Sequence, residues 1–392
     1  MLLLILGYFK YYGFFLNGFR QLFALDSIAL NIILPAGISF YTFTSISYLI
    51  DVYCGRYEPE KNILNFSLFI SFFPKLMAGP IVRGSCFIPQ VRNYEGIRLT
   101  NIETGVQIFV IGLFKKIVLA DRLGVFVDDV FFSPSAYNTF TVILAVFSYT
   151  MQIYFDFSGY SDMAVGIAKI VGFDFPPNFN LPYIAQGISD FWSRWHISLS
   201  SWFRDYLYIP LGGNRNGIKR TCINLLIVMV LSGLWHGAAW TFILWGVAHG
   251  IVSCVSKYIE TRSIGKSIIA RSGRIPQIIF TLIIVSLLWV IFRADSISNA
   301  ARIYKAIFVW QGGMMKPYTW SFFAMSVLLV STVTAWIKSK KNVKCNNQLK
   351  IDGFYPIMKL DRVWTLSVFF IFAGLTVILA YFGNTAFIYG QF

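Results

Sequence analysis

Charge is scarce in this sequence. Only 13% of its 392 residues are Asp, Glu, Lys or Arg, against 56% hydrophobic and 18% aromatic. A chain so poor in charge cannot cover a folded surface with polar side chains, which excludes an ordinary soluble globular domain. Cysteine is sparse too. Cys54, Cys86, Cys222, Cys254 and Cys345 are odd in number and scattered, with no CxxC pair, so neither a disulfide framework nor a zinc site is expected. A Walker loop, a GxGxxG after a strand, a GxSxG elbow and an HExxH helix are all missing. The tract GGNRNG from Gly212 to Gly217 resembles a phosphate loop only loosely and reads as a basic turn.

What the chain does have is apolar length. Uncharged runs extend over Ser27 to Ile50, Phe131 to Phe155, Thr221 to Ala248, Ile275 to Phe292, Pro317 to Ile337 and Val363 to Phe392. Each reaches or approaches the roughly 20 residues that a helix needs to cross a bilayer. The runs are continuously apolar and do not alternate, which predicts an all-α polytopic transmembrane bundle and argues against a barrel. Weaker spans, interrupted by Lys, Pro or Gly, fall at Leu2 to Phe19, Ile63 to Pro80, Gly105 to Val127 and Met163 to Phe173. Together they predict about nine to eleven membrane segments. The start, MLLLILGYFKYYGFFLNGF, has no basic n-region and reads as a retained span.

A formal charge of +15 suggests a nucleic-acid partner, but the basic residues lie in connections between apolar runs. Lys257, Arg262, Lys266, Arg271 and Arg274 share one connection, and Lys338, Lys340, Lys341, Lys344 and Lys350 another. The positive-inside rule makes both cytoplasmic, with contact to anionic membrane lipid as a secondary role and no nucleic acid required.

One connection, 173–220, is too polar to span and too aromatic for an ordinary loop. Pro176, Pro177 and Pro182 break any entering helix, and a new one is expected near Ser189, with Ser189 as N-cap and Asp190 in the first turn. On that helix Trp192, Trp195, Leu199 and Trp202 share one face, Asp190 and Arg194 pair four apart, and His196, Ser200 and Arg204 form a second stripe, with Asp205 a further pocket candidate. The segment is either an amphipathic helix lying in the interface or a re-entrant piece lining a water-filled cavity.

Two of the three histidines fall in LWHGAAWTFILWGVAH, between and around Trp235 and Trp240. His236 is near the middle of the Thr221 to Ala248 run, which puts it near the bilayer midplane if that run is one helix. A polar ring there either faces a cavity and does chemistry or is hydrogen-bonded between helices. His249 is about 220° further around an ideal helix, beside Gly250 and near an expected helix end, which favours a structural or interfacial role. In IYFDFSGYSDMAVG, Asp156 ends an apolar run and Gly159 breaks it again before Asp162; Asp156, Ser158 and Asp162 either cap and lock helices or line a pocket. Lys115 and Lys116 are expected to snorkel to the cytoplasmic surface, with phosphate binding as the alternative.

A buried neutral imidazole suits a general base, and transfer of an acyl group from a thioester to a hydroxyl needs little more than that base, alignment and an oxyanion donor. No serine or cysteine stands out as a nucleophile. WHISLSSWFRDYLYIPLGGNR followed by LSGLWHGAAWTFILWG, with the flanking DFSGYSDMAVG, ILPAGISFYTFTSISYLIDVY and FFPKLMAGPIVR, resembles the membrane-bound O-acyltransferase family, most closely its alginate O-acetylation subgroup.

The resemblance implies one membrane domain over 1–392, a catalytic His236 and a second functional His196. It implies no tightly bound cofactor, acetyl-CoA as cytoplasmic acyl donor, a polysaccharide acceptor and a multi-pass place in the inner membrane. It further implies an extracytoplasmic partner with an SGNH, serine esterase-like site. Relatives carry further hydrophobic helices before the segment matching LGYFKYY, so a misassigned start or a shortened form is expected. The alternatives are D-alanyl transfer to teichoic acid from a carrier protein, which the tract LGGNRNG disfavours, and a polysaccharide transporter or export channel, which the missing internal repeat disfavours.

Overall fold

A computed structural model describes residues 1–26, 32–262, 272–341 and 355–383. Lys266, Arg271, Lys344, Lys350, Cys345 and parts of the Ser27 and Val363 runs lie outside the described residues. Among the described residues the chain is helical with no β-strand, as the apolar runs predict. Its longer elements are α1 (Leu2–Leu22), α2 (Ile38–Tyr53), α3 (Leu99–Leu113), α4 (Asp121–Phe132), α5 (Thr139–Ile170), α6 (Ile188–Arg194) and α7 (Ile197–Phe203). They continue as α8 (Gly217–His236), α9 (Trp240–Thr261), α10 (Arg274–Arg293), α11 (Ile297–Phe308), α12 (Thr319–Lys341) and α13 (Val363–Ile378).

Five of these, α1, α5, α8, α9 and α10, are long and apolar enough to cross a membrane. That is fewer than the sequence runs imply, because several runs are not single helices. Ile63 to Pro80 divides into Ile63–Ser71 and Phe73–Leu76, the second with Pro74 in its first turn. The Phe131 to Phe155 run is interrupted over Ser133–Asn138; Asn138 then caps α5, its Oδ1 accepting from the Thr141 backbone N–H at 3.0 Å. Met163 to Phe173 is no separate span but largely the last two turns of α5.

α5 is the axis of the bundle: 83% of its most apolar 18-residue stretch is buried, against 33–39% for α8, α9 and α10. It runs past Asp156 and Gly159 unbroken, so neither aspartate caps a helix end. The expected break fails because Gly159 is needed for proximity. Gly105 and Gly112 of α3 face Gly166 and Gly159 of α5; a Cβ at Gly112 would stand 2.6 Å from the Gly159 carbonyl oxygen, and one at Gly105 2.6 Å from that of Gly166. Small residues at such a seam let the backbones approach and maximise dispersion contact, the main attraction between helices in lipid. Gly159→Ala is expected to wedge the seam apart and cost about 1–3 kcal/mol, read as a lower melting temperature in detergent.

The close approach brings charges together as well. Lys115 and Lys116 lie on a π-helical turn, Phe114–Ala120, joining α3 to α4. Neither snorkels to the cytoplasmic surface. Lys115 Nζ is 2.5 Å from Asp162, and Lys116 Nζ is 2.6 Å from Asp156 and 2.7 Å from Asp121. In a low-dielectric bundle an adjacent carboxylate competes better for the ammonium than a distant interface does.

The Thr221 to Ala248 run is not one span but a helical hairpin. α8 ends at His236, Gly237–Ala239 is extended, and α9 returns antiparallel, with Gly233 against Phe242 and Gly246 against Met229. Gly237 is required at the turn, since a Cβ there would meet the Phe242 ring at 2.3 Å. α10 then runs back beside α9, with Trp245 and Trp289 stacked at 5.7 Å. His236, Trp240 and Ala294 therefore gather at one end of the three helices. Lys219, Arg220, Arg262 and Arg274 gather at the other.

Candidate active site

His236 closes α8. It is 3% exposed, and its ring meets Trp235, Trp245 and Phe292 at centroid distances of 5.1, 5.2 and 5.2 Å. It is thus buried, but at the end of a helix and not at the middle of one, because Gly237 turns the chain there.

The last carbonyls of a helix have no intrahelical partner. Here α1 supplies partners: Tyr11 Oη donates to Leu234 O at 2.9 Å, and Lys10 Nζ donates to Trp235 O at 2.6 Å, to His236 O at 3.4 Å and to Ser39 Oγ at 3.1 Å. A cation at a helix C-terminus also meets the negative end of the macrodipole. These contacts fix the height and direction of the His236 backbone. Lys10→Met is expected to leave two carbonyls unsatisfied at a cost of about 1–3 kcal/mol. The measurement is turnover against substrate affinity in the purified protein: kcat falls with KM little changed, and Lys10→Arg restores part of it.

The 173–220 segment differs from the single amphipathic helix expected. α6 begins at Ile188 after Gly187, so Ser189 is not its cap, and the helix stops at Arg194. His196 takes a left-handed conformation, φ 42° and ψ 55°, before α7 starts. Trp192 and Trp195 therefore do not share one helical face with Leu199 and Trp202, while His196 caps α7, its backbone oxygen accepting from Ser200 N at 2.9 Å, and Arg204 directly follows that helix.

A left-handed non-glycine residue costs about 1–3 kcal/mol and persists only where neighbours fix it. Asn178, eighteen residues upstream, fixes it. Its backbone oxygen accepts from Ile197 N at 2.8 Å, and its Oδ1 accepts from Ser198 N at 3.1 Å and Ser198 Oγ at 2.9 Å. The same Oδ1 lies 3.2 Å from His196 Nδ1. The Ser198 N–H can only donate, which identifies this Asn178 atom as the oxygen, so His196 Nδ1 carries the hydrogen and Nε2 the lone pair.

The two histidines are thereby brought to one indole. His196 is 1% exposed, with Phe157 edge-on at 4.6 Å, and its ring is 6.0 Å from Trp235. Trp235 has His236 on its other contact at 5.1 Å. The Nε1 donors of Trp235 and Trp245 are buried and make no hydrogen bond among the described residues.

The other expected site residues divide by place. Asp190 and Arg194 pair at 2.7 Å, and Arg194 also donates to Asn180 O at 3.3 Å, a clasp that closes the 180–194 loop. Arg204 is exposed and paired with Asp205, which also meets Arg83 at 3.4 Å. Trp195 and Trp202 are buried, Trp202 Nε1 donating to Phe43 O at 3.0 Å. Asp156, Ser158 and Asp162 are buried on α5, the two aspartates held in the lysine pairs. Trp240, 58% exposed, stands outside the imidazole site against Phe14.

His249 is in the middle of α9 and not near its end, fully buried among Trp192, Trp245 and Trp289. Sequence reasoning did not single out Lys10 or Asn178. Asn178 stands directly after a Pro-Pro pair in an aromatic tract, a polar residue with no helix to solvate it, which was the available signal.

Comparison with known proteins places the chain among membrane acyltransferases. A profile of the membrane-bound O-acyltransferase family matches residues 59–294. The chain is 44% identical over 310 residues to a probable alginate O-acetylase of Azotobacter vinelandii, covering 78% of this chain and 61% of that protein. It is 39% identical over 331 residues to a peptidoglycan O-acetyltransferase of Helicobacter pylori (77% and 62%) and 31% identical over 247 residues to a teichoic acid D-alanyltransferase of Bacillus subtilis (59% and 60%). The chain spans about 60% of the length of these curated relatives.

Proposed function

This chain belongs to the membrane-bound O-acyltransferase family, and from that premise we propose that it O-acetylates an envelope or exported polysaccharide, taking the acetyl group from cytoplasmic acetyl-CoA and delivering it outside the inner membrane. The observation that carries this reading is His236, a buried imidazole on the last residue of α8, braced by Lys10 and joined to His196 through Trp235. Sidedness is supported by the basic residues Lys219, Arg220, Arg262 and Arg274, which gather at the end of α8–α10 opposite His236. By the positive-inside rule that end is cytoplasmic and the His236 end extracytoplasmic.

In the reaction His236 takes the proton of the attacking hydroxyl, the hydroxyl oxygen bonds to the thioester carbonyl carbon, and the carbonyl oxygen becomes an oxyanion. The indole N–H groups of Trp235 and Trp245, which make no hydrogen bond among the described residues, are the donors for that oxyanion. Collapse breaks the C–S bond, and the proton on His236 goes to the leaving sulfur. The first acceptor is either the sugar or the serine of an extracytoplasmic esterase-like partner.

D-alanyl transfer is the second reading, disfavoured by the lower identity to the D-alanyltransferase. Purified protein in vesicles, given labelled acetyl-CoA or labelled D-alanyl carrier protein, decides between them. Thioester cleavage with acetyl-CoA supports acetylation; cleavage with the carrier alone contradicts it.

A further inference from the structure

The cavity beside the α8–α9 turn has no part in the chemistry above. It is an open cleft of about 440 Å³, lined by Phe14, Trp240, Thr241, Asp295, Ser296 and Ser298 among others. That volume is within the roughly 300–1,000 Å³ of small-molecule sites. Its near wall begins at Ala238, two residues beyond His236.

The two walls differ in chemistry. On one side Trp240 keeps 58% of its surface open, its ring against that of Phe14 at 5.4 Å and 58°, and both line the cleft. On the other, Ser296 caps α11 by accepting from the Asn299 N–H at 3.2 Å, and its hydroxyl donates to Asp295 Oδ1 at 2.9 Å. Ser298 Oγ is 3.1 Å from Ser296 Oγ. Asp295 is thus fixed on the start of α11, while its Oδ2 takes no hydrogen bond from a described residue.

An exposed tryptophan near a membrane surface commonly anchors in lipid. Here an acyl chain on Trp240 would also cover the Asp295 carboxyl group and two hydroxyls, which is costly without polar partners. The occupant must instead be apolar on one face and rich in hydroxyl donors at its edge. A pyranose ring is both: its C–H face lies on an indole, and its hydroxyls donate to a carboxylate and exchange hydrogen bonds with serines.

We propose that this cavity is a saccharide subsite, in which a sugar residue of the acceptor stacks on Trp240 and donates a hydroxyl to Asp295. The inference rests on the acyltransferase reading for the use made of the sugar. It goes beyond that reading in having this chain itself select the acceptor, at the end of the bundle where His236 lies.

The test measures binding of cellotetraose, chitotetraose and tetramannuronate to the purified full chain in detergent, with thioester cleavage of acetyl-CoA followed in parallel on wild type and His236→Ala. At least one tetrasaccharide is expected to bind, about tenfold or more weakly to Trp240→Ala and to Asp295→Ala, with Trp240→Phe retaining affinity. Melting temperatures of the variants report their folding. Binding by none of the three, or binding unaffected in both alanine variants, overturns the subsite; if His236-dependent cleavage persists, the acyltransferase reading stands without it. Loss of that cleavage in wild type removes the acyltransferase reading itself. A photo-crosslinker at position 240 that captures a protein and not the sugar also contradicts the proposal.

Discussion

His236→Ala is expected to lower acyl transfer by about 10²- to 10⁴-fold while the protein still folds and inserts. The magnitude follows from the loss of a positioned proton acceptor. The ring is buried by Trp235, Trp245 and Phe292, so no bulk water can replace it at the same place without rearranging the packing. Folding survives because the residue ends α8: its backbone carbonyl, not its ring, receives Lys10, and alanine keeps that carbonyl. His236→Gln is the sharper control. It retains a hydrogen-bonding side chain of similar reach but cannot accept a proton at neutral pH, so it should be nearly as inactive as the alanine variant. Acetyl transfer in membranes, normalised to protein level, is the measurement.

Lys116→Met should have the largest effect on stability, about 3–5 kcal/mol. Lys116 Nζ lies between Asp156 at 2.6 Å and Asp121 at 2.7 Å, with side-chain exposures of 14%, 2% and 8%. Removing the single ammonium leaves two carboxylates buried near one another, each deprived of its ion pair. The expected readout is a sharp fall in the fraction of monodisperse protein after extraction and heating. Asp156→Asn should cost less, since Lys116 keeps Asp121. The triple change Lys116→Met with Asp121→Asn and Asp156→Asn should recover much of the loss, since no unpaired charge then remains. Failure of that recovery would mean that the triad acts through hydrogen-bond geometry and not through charge.

The helical class and the Asp190–Arg194 pair were legible in the sequence because they depend on composition and on four-residue spacing. The spacing of Trp192, Trp195, Leu199 and Trp202 put them on one helical face, yet the helix is not continuous. The break at His196 is held by Asn178, and no local pattern encodes a contact from eighteen residues away. The hairpin at Gly237 was hidden inside an apolar run because glycine in such a run reads equally as packing or as a turn; only the Phe242 ring at 2.3 Å decides.

The same limit applied to charge. Sequence alone sent Lys115 and Lys116 to the cytoplasmic surface and made Asp156 and Asp162 caps, helix locks or pocket lining, and did not show that each lysine had a carboxylate on α5 to meet. The spacing of Gly105 and Gly112 against Gly159 and Gly166, seven apart on both helices, was the available signal for that approach. Lys10 was the least legible residue of the site, since its partner carbonyl is 225 residues away.

The most direct test of the account reconstitutes wild type and His236→Ala in sealed vesicles, supplies labelled acetyl-CoA on the face carrying Lys219 and Arg274, and follows thioester cleavage and the label. The account predicts His236-dependent cleavage from that face only, with label reaching an acceptor on the opposite face. Cleavage that is equal in the two proteins, or that proceeds from the His236 face, would contradict it.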